Sequence, residues 1–187
     1  MSFIPKTPKI SREVPYFDDV TAEAGWAGHS TSKSMETLKA EITQAVARLD
    51  GMVTGFVRGE HVPERSDAPK REGFQIHYAI ETPEGQMIPG RLDVAALPVK
   101  PPKRRSGWEK TMERKAEQSL KMALYMTRDA LNGAWYLMQL SPGYVPLMPW
   151  MLAQKDKTVT QLWSESSKLK ALQPPEGSEF NPDDDAV

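Results

Sequence analysis

The side chains best suited to chemistry with a polyanion lie in one basic stretch, PVKPPKRRSGWEKTMERKAEQ, from Pro98 to Gln118. Lys and Arg beside an aromatic residue can neutralise phosphates and stack a base. Basic residues at the start of a helix also oppose the helix dipole, so a bound anion would explain their position. The candidate nucleic-acid-binding residues are Lys100, Lys103, Arg104, Arg105, Trp108, Lys110, Arg114 and Lys115.

Other interpretations of this stretch stay open. Charged residues keep a loop and a first helical turn solvated, and they also contact protein partners. Trp108 is in phase with the apolar residues of the helix that follows, so a place in the core suits it as well as base stacking does.

Catalytic and metal-binding patterns are missing from the sequence. The three histidines, His29, His61 and His77, have no metal-ligand spacing and no accompanying carboxylate cluster. Ser141 is not part of a nucleophile motif, and no glycine-rich phosphate loop is present. The sequence therefore predicts a protein that is not an enzyme, with no catalytic residues, no metal and no cofactor.

Composition limits the class of protein. The 187 residues suit one domain, and 24 basic residues nearly balance 25 acidic ones, so any attraction to nucleic acid must be local. Because there are no cysteines, disulfides and thiolate metal sites are excluded. The N-terminal MSFIPKTPKISREVPYF contains no apolar signal segment, and no apolar run reaches the roughly 18 residues of a spanning helix. We expect a cytoplasmic protein.

Apolar periodicity predicts two helices. In STSKSMETLKAEITQAVARLDG, apolar residues recur at helical spacing, with Ser32 or Ser34 as the N-cap and Gly51 as the positive-φ residue that ends the helix. A longer helix is predicted over roughly 107–140. Gly133 within it marks a close contact or a bend, since glycine is unfavourable in a helix interior.

Three strands are predicted between these helices, in GMVTGFVRG, GFQIHYAIE and MIPGRLDVAAL. The second alternates apolar and polar residues, which is typical of a half-buried strand. TPEGQ is a tight turn with Gly85 at the left-handed position, and Pro89 predicts an edge or a bulge. After the second helix, LSPGYVPLMPWMLA is predicted to pack across an edge of the core.

The predicted fold class is α+β. A three-stranded antiparallel sheet packs on two helices in the order α-β-β-β-α, with extended N- and C-terminal arms. Residues 1–30 form an extended N-terminal arm, 31–153 the core domain and 154–187 a C-terminal segment. That segment closes with the acidic EGSEFNPDDDAV, which predicts a disordered tail.

This order of elements resembles the double-stranded-RNA-binding domain. MERKAEQSLKMALYM is similar to the start of that domain's second helix, where basic residues touch phosphates. The resemblance implies phosphate contacts for Arg114 and Lys115. The loop at 60–72 contains His61 and Pro63 but departs from the family's glycine-proline-spacer-histidine order, and it is longer.

A second resemblance is to small proteins of phages and mobile elements. STSKSMETLKAEITQAVARLDG, IHYAI, RLDVAAL and AEQSLKMALYMTRDALNGA are similar to the helix, β-hairpin and second helix of that set. It implies a phage or mobile-element setting and no reaction.

These observations predict a non-catalytic accessory protein that contacts the phosphate backbone of DNA or RNA. A membrane is not among the predicted partners. The alternative is an assembly subunit of a larger complex that docks through its aromatic arms, which are residues 1–30 and the segments around Trp150 and Trp163.

Overall fold

A computed structural model describes residues 14–62, 70–81, 85–101, 109–141, 143–153 and 157–165. Residues 163–165 are described by their backbone alone. It confirms the predicted α+β class and the order α-β-β-β-α. The elements are α1 (Met35–Arg48), β1 (Gly51–His61), β2 (Arg71–Glu81), β3 (Met87–Ala95), α2 (Glu109–Leu140) and a short α3 (Val159–Glu165).

Helix α1 begins at Ser34, one of the two caps that the sequence predicts. The side chain of Ser34 accepts a hydrogen bond from the Thr37 amide at 3.1 Å, which satisfies one of the free amides of the first turn. At the other end, the residue with positive φ is Asp50, at 59°, and not Gly51 as predicted. Gly51 instead begins β1, where an added Cβ would lie 2.7 Å from Val46 Cγ1.

The three strands form one antiparallel sheet in the order β1-β2-β3. The alternation predicted for β2 is present, because Phe74, Ile76 and Tyr78 are all buried. Pro89 lies in an edge strand, as its missing amide requires, and the register irregularity is in β1 between Val53 and Gly55.

Both long helices cover the same face of the sheet. One core cluster contains Ile42 and Val46 of α1, Ile76 of β2, and Leu120 and Leu124 of α2. Because the faces that the helices bury follow the predicted periodicity, this layer could be deduced from the sequence. None of the helices in the described part of the chain combines the length and apolar composition that crossing a bilayer requires.

The segment after α2 returns to the sheet. Leu147 is buried in the core, which agrees with the predicted packing across its edge. The Leu152 amide donates to the Pro89 carbonyl oxygen at 2.8 Å, so this segment pairs with part of the free edge of β3. Helix α3, which the sequence did not reveal, follows, and Gln161 within it accepts a hydrogen bond from Arg91 at 3.2 Å.

Several predictions lie outside the described residues, among them most of the turn before Gly85, the first thirteen residues of the arm and the acidic tail. Gly85 itself has φ of 78°, the left-handed conformation that the turn prediction requires.

Candidate nucleic-acid interface

The described part of the N-terminal arm, residues 14–30, packs against α2. Phe17 and Val20 are buried in a small cluster that includes Met122 of α2. The Phe17 amide donates to the Pro98 carbonyl oxygen at 2.8 Å. The predicted extended arm is therefore docked along the helix in this part of the chain.

A glycine permits the arm to approach α2 closely. Gly28 has φ of 80°, and a Cβ at this position would lie 2.5 Å from the Tyr125 ring. Beyond it, the Gln118 side chain donates to the carbonyl oxygens of His29, at 3.0 Å, and Thr31, at 3.1 Å. These bonds fix the end of the arm against the start of the helix.

Arm and helix together enclose a shallow concavity of about 460 Å³. His29 stacks on the Phe17 ring, with 4.5 Å between ring centroids. Cationic, hydroxyl and amide groups face the same space, and these are groups that donate hydrogen bonds to phosphate oxygens. The lining residues are Phe17, His29, Ser30, Thr111, Arg114, Lys115 and Gln118.

Two of the predicted cations are paired with carboxylates of the arm. Lys115 forms a salt bridge with Asp18, and Lys100 forms one with Asp19. The Lys100 amide also donates to Asp18 Oδ2 at 2.9 Å. Because these carboxylates already neutralise Lys100 and Lys115, an external anion would have to displace them.

The electrostatics of these pairs are visible in the pKa values. Burial acts to raise the pKa of Asp18, but the Lys115 side chain and the Lys100 amide outweigh it and hold that pKa below its ordinary value. The hydrogen bond with Asp19 raises the pKa of Lys100. Both groups are therefore held in their charged forms.

Lys110 and Arg114 differ from this pair. Both are exposed, and neither has an acidic partner within hydrogen-bonding or ion-pair distance among residues the structure describes. They are four residues apart near the N-terminus of α2, where like charges repel each other and the helix dipole disfavours cations. A bound anion would relieve both effects.

The remaining predicted site residues, Lys103, Arg104, Arg105 and Trp108, lie outside the described residues. The structure therefore places Lys100, Lys110, Arg114 and Lys115 of the candidate site.

The arm residues of the concavity were not identified from the sequence. His29 and Ser30 are more than eighty residues from Lys115, and no local pattern connects them to the helix. The sequence did contain a signal for the helix side of the concavity, because Thr111, Lys115 and Gln118 have the spacing of a single helix face.

A second cavity, of about 490 Å³, lies between the arm, β3 and α2. Its lining is mainly apolar and includes Trp26 and Met126, with Arg71 as its cation. Arg71 donates to the carbonyl oxygens of Ala96, at 2.8 Å, and Ala95, at 3.0 Å, and burial lowers its pKa. These bonds tie the start of β2 to the end of β3, which gives Arg71 a structural role.

Metal binding has no support among the described residues. Within the ranges given above, no three His, Asp or Glu side chains are grouped closely enough to hold an ion. Asp93, a lone carboxylate of β3, pairs with Arg91 at 3.2 Å. The predicted absence of catalysis and of cofactors stays a prediction.

Comparison of the chain with protein-family models, curated proteins and solved structures finds no match. Both resemblances noted in the sequence, to the double-stranded-RNA-binding domain and to phage and mobile-element proteins, therefore stay predictions.

Proposed function

We propose that this chain binds the phosphate backbone of nucleic acid at the concavity between its N-terminal arm and the start of α2. The observation that carries the proposal is the exposed pair Lys110 and Arg114, which are four residues apart and have no acidic partner among the described residues. A phosphate beside Arg114 would be within the region lined by His29 and Ser30.

Acidic residues limit where the backbone can lie. Glu109, Glu113 and Glu117 form a neighbouring stripe of the same helix, and Glu117 pairs with Lys121 at 3.2 Å. The polyanion would therefore follow the side of α2 that faces the arm. Contacts of this kind depend little on base sequence and weaken as salt is added.

The arm carboxylates compete with the ligand in this proposal. Asp18 and Asp19 hold Lys115 and Lys100 as a phosphate would. Removing the two negative charges should free both cations and strengthen binding, whereas removing cations should weaken it. Removing negative charges and removing positive charges should thus change the affinity in opposite directions, and both kinds of variant test the same site.

The experiment is fluorescence anisotropy with single- and double-stranded DNA and RNA of equal length, each at two salt concentrations. The double variant Lys110→Ala/Arg114→Ala should bind more weakly, and its plot of log affinity against log salt should be shallower by roughly 0.7–0.9 for each lost phosphate contact. Asp18→Asn/Asp19→Asn should bind more tightly at low salt. Arg104→Ala/Arg105→Ala tests the predicted residues outside the described ranges.

A charge-matched control is available on the strands β1 and β2. Arg58 and Lys70 are exposed, pair with Glu72 and Glu60, and do not line the concavity, so Arg58→Ala/Lys70→Ala removes the same charge from residues outside it. Equal losses in the control and in Lys110→Ala/Arg114→Ala would reduce the effect to net charge and overturn the site. Unchanged affinity in the latter variant would do the same.

The assembly alternative has an observation of its own. The last turns of α2 and the segment after it expose large apolar side chains, a feature typical of protein contacts. Among them are Tyr136, Leu137, Leu140, Tyr144 and Met148. A chain that ignores all four oligonucleotides and forms a salt-insensitive oligomer would favour this alternative.

A further inference from the structure

The second half of α2 has one covered face and one open face. Leu131 is buried in the core, and Trp135 packs against it from one turn further along. On the opposite side of the helix, Tyr136 is 62% exposed, Leu137 51% and Leu140 78%. An apolar helix face of this kind is usually buried against another element.

The open face continues a face that is covered earlier in the helix. Met122 and Met126 have the same helical phase as Gly133, Leu137 and Leu140, and the arm packs on both methionines. Past the end of the arm, this face presents the exposed Asp129 and then the apolar Leu137 and Leu140, and no described residue covers the two leucines.

Gly133 lies on this open face, and the packing of the described residues does not require a glycine there. A Cβ added to it would meet no described atom within 4 Å, and its φ is not in the left-handed region. Glycine inside a helix is destabilising relative to alanine. The helix is continuous through it, so the predicted bend is absent, and none of the described residues makes the predicted close contact.

The surroundings of this face favour a second copy of the chain as the occupant. Residues 130–154 contain no charged side chain and no histidine, so two such surfaces can meet without like-charge repulsion. A membrane surface suits the face less well, since helices that lie on membranes carry Lys and Arg beside their apolar residues.

We propose that α2 pairs antiparallel with α2 of a second copy across this face, around a twofold axis near Tyr136 and Leu137. Leu140 of each copy then lies over Gly133 of the other, because both are nearly equidistant from the axis. A bulky residue opposite an empty position lets the helices approach closely, and a twofold interface requires such self-complementarity. This inference specifies the assembly alternative and is independent of nucleic-acid binding.

The test is the mass of the full chain in solution, by sedimentation velocity over a range of concentrations. The wild type should approach twice the 21.0 kDa of one chain as concentration rises. Leu140→Glu should raise the dissociation constant of the dimer by about tenfold or more, because it places an unpaired charge in an apolar contact. Gln139→Glu adds the same charge beside the open face and should leave the constant nearly unchanged.

The variant Gly133→Leu distinguishes a role of Gly133 at the dimer interface from a role in the stability of a single chain. It should raise the melting temperature of dilute, monomeric protein, since leucine favours helix and open space surrounds the position. The same variant should weaken the dimer about tenfold or more, because the close approach is blocked. A monomeric wild type, a dimer that withstands both Leu140→Glu and Gly133→Leu, or binding of the open face to lipid vesicles instead would overturn the inference.

Discussion

Tyr78 connects the sheet to the segment that follows α2. Its ring is 1% exposed, and its hydroxyl donates to the Leu147 carbonyl oxygen at 2.9 Å. Burial raises the pKa of this phenol, so the hydroxyl keeps the proton that it donates. Gly90 on the neighbouring strand provides the space for the ring, since an added Cβ would lie 2.2 Å from Tyr78 Cζ.

Gly90→Ala should lower the free energy of unfolding by about 1–3 kcal/mol, because the new methyl displaces a ring that has no room to move. Urea denaturation followed by tryptophan fluorescence measures this. Gly59→Ala on β1 is the matched control, since a Cβ there meets no described atom within 4 Å. Equal stabilities for the two variants would contradict the assigned packing of Tyr78.

At the scale of elements, α1 and α2 are joined by ion pairs as well as by the apolar core. Glu41 of α1 accepts a hydrogen bond from Arg128 of α2 at 2.6 Å and pairs with Lys33. The Arg128 guanidinium lies over the Tyr125 ring, 3.9 Å from its centroid. Hydrogen bonds from Lys33 and Arg128 hold the pKa of Glu41 below its ordinary value.

Glu41→Gln should lower the free energy of unfolding at neutral pH by about 0.5–1 kcal/mol, the range for partly exposed ion pairs. A lowered folded-state pKa stabilises the protein fully above the unfolded-state pKa of about 4.3, and this contribution disappears as pH falls through the folded-state value. The difference between variant and wild type should therefore shrink in acid. Denaturation curves at pH 7 and pH 3 test this, and a gap that is unchanged at pH 3 would contradict it.

At the scale of the whole molecule, the arm is a separate layer on α2. It is held by a small apolar cluster around Phe17 and by the salt bridges of Asp18 and Asp19. The main core does not include these residues. Because few apolar contacts hold the arm, it should open at a lower free energy than the sheet and its helices.

Phe17→Ala should increase hydrogen exchange at arm amides, whose contacts depend on this ring, while the β2 amides keep most of their protection. The loss of a buried phenylalanine costs about 3 kcal/mol or more, which is comparable to the stability of so small a layer. Val14→Ala, at a 44% exposed position, is the control and should leave exchange unchanged. Uniform deprotection of arm and core in Phe17→Ala would show that they open as one unit.

Lowering the pH should also release the arm from α2. The pKa of Asp18 is lowered in the folded protein, so the salt bridge with Lys115 is complete above the unfolded-state value of about 3.9 and is lost as pH falls through the folded-state value. The protection factor of the Lys100 amide, which is bonded to Asp18, should fall more in acid for the wild type than for Asp18→Asn. An identical fall in both would contradict the assignment.

How far the sequence predicts the structure depends on the range of each interaction. The bounds of α2 are within two residues of those predicted, because the helical spacing of apolar residues is a local property of the chain. Of the candidate site, Arg114 and Lys115 were predicted from their position at a helix start, whereas Phe17 and His29 were not. The pairing of Lys115 with Asp18 spans 97 residues and follows no periodic pattern.

The sequence by itself determined the α+β class, the order of the elements and the face that each buries against the sheet, because periods of two and about 3.6 residues set these locally. Only the tertiary structure decided that the arm lies on α2, that its carboxylates hold two of the candidate cations, and that the far end of α2 has an apolar face that no described residue covers. The physical reason is that one helix has more than one apolar face, and only packing shows which of them finds a partner within the chain.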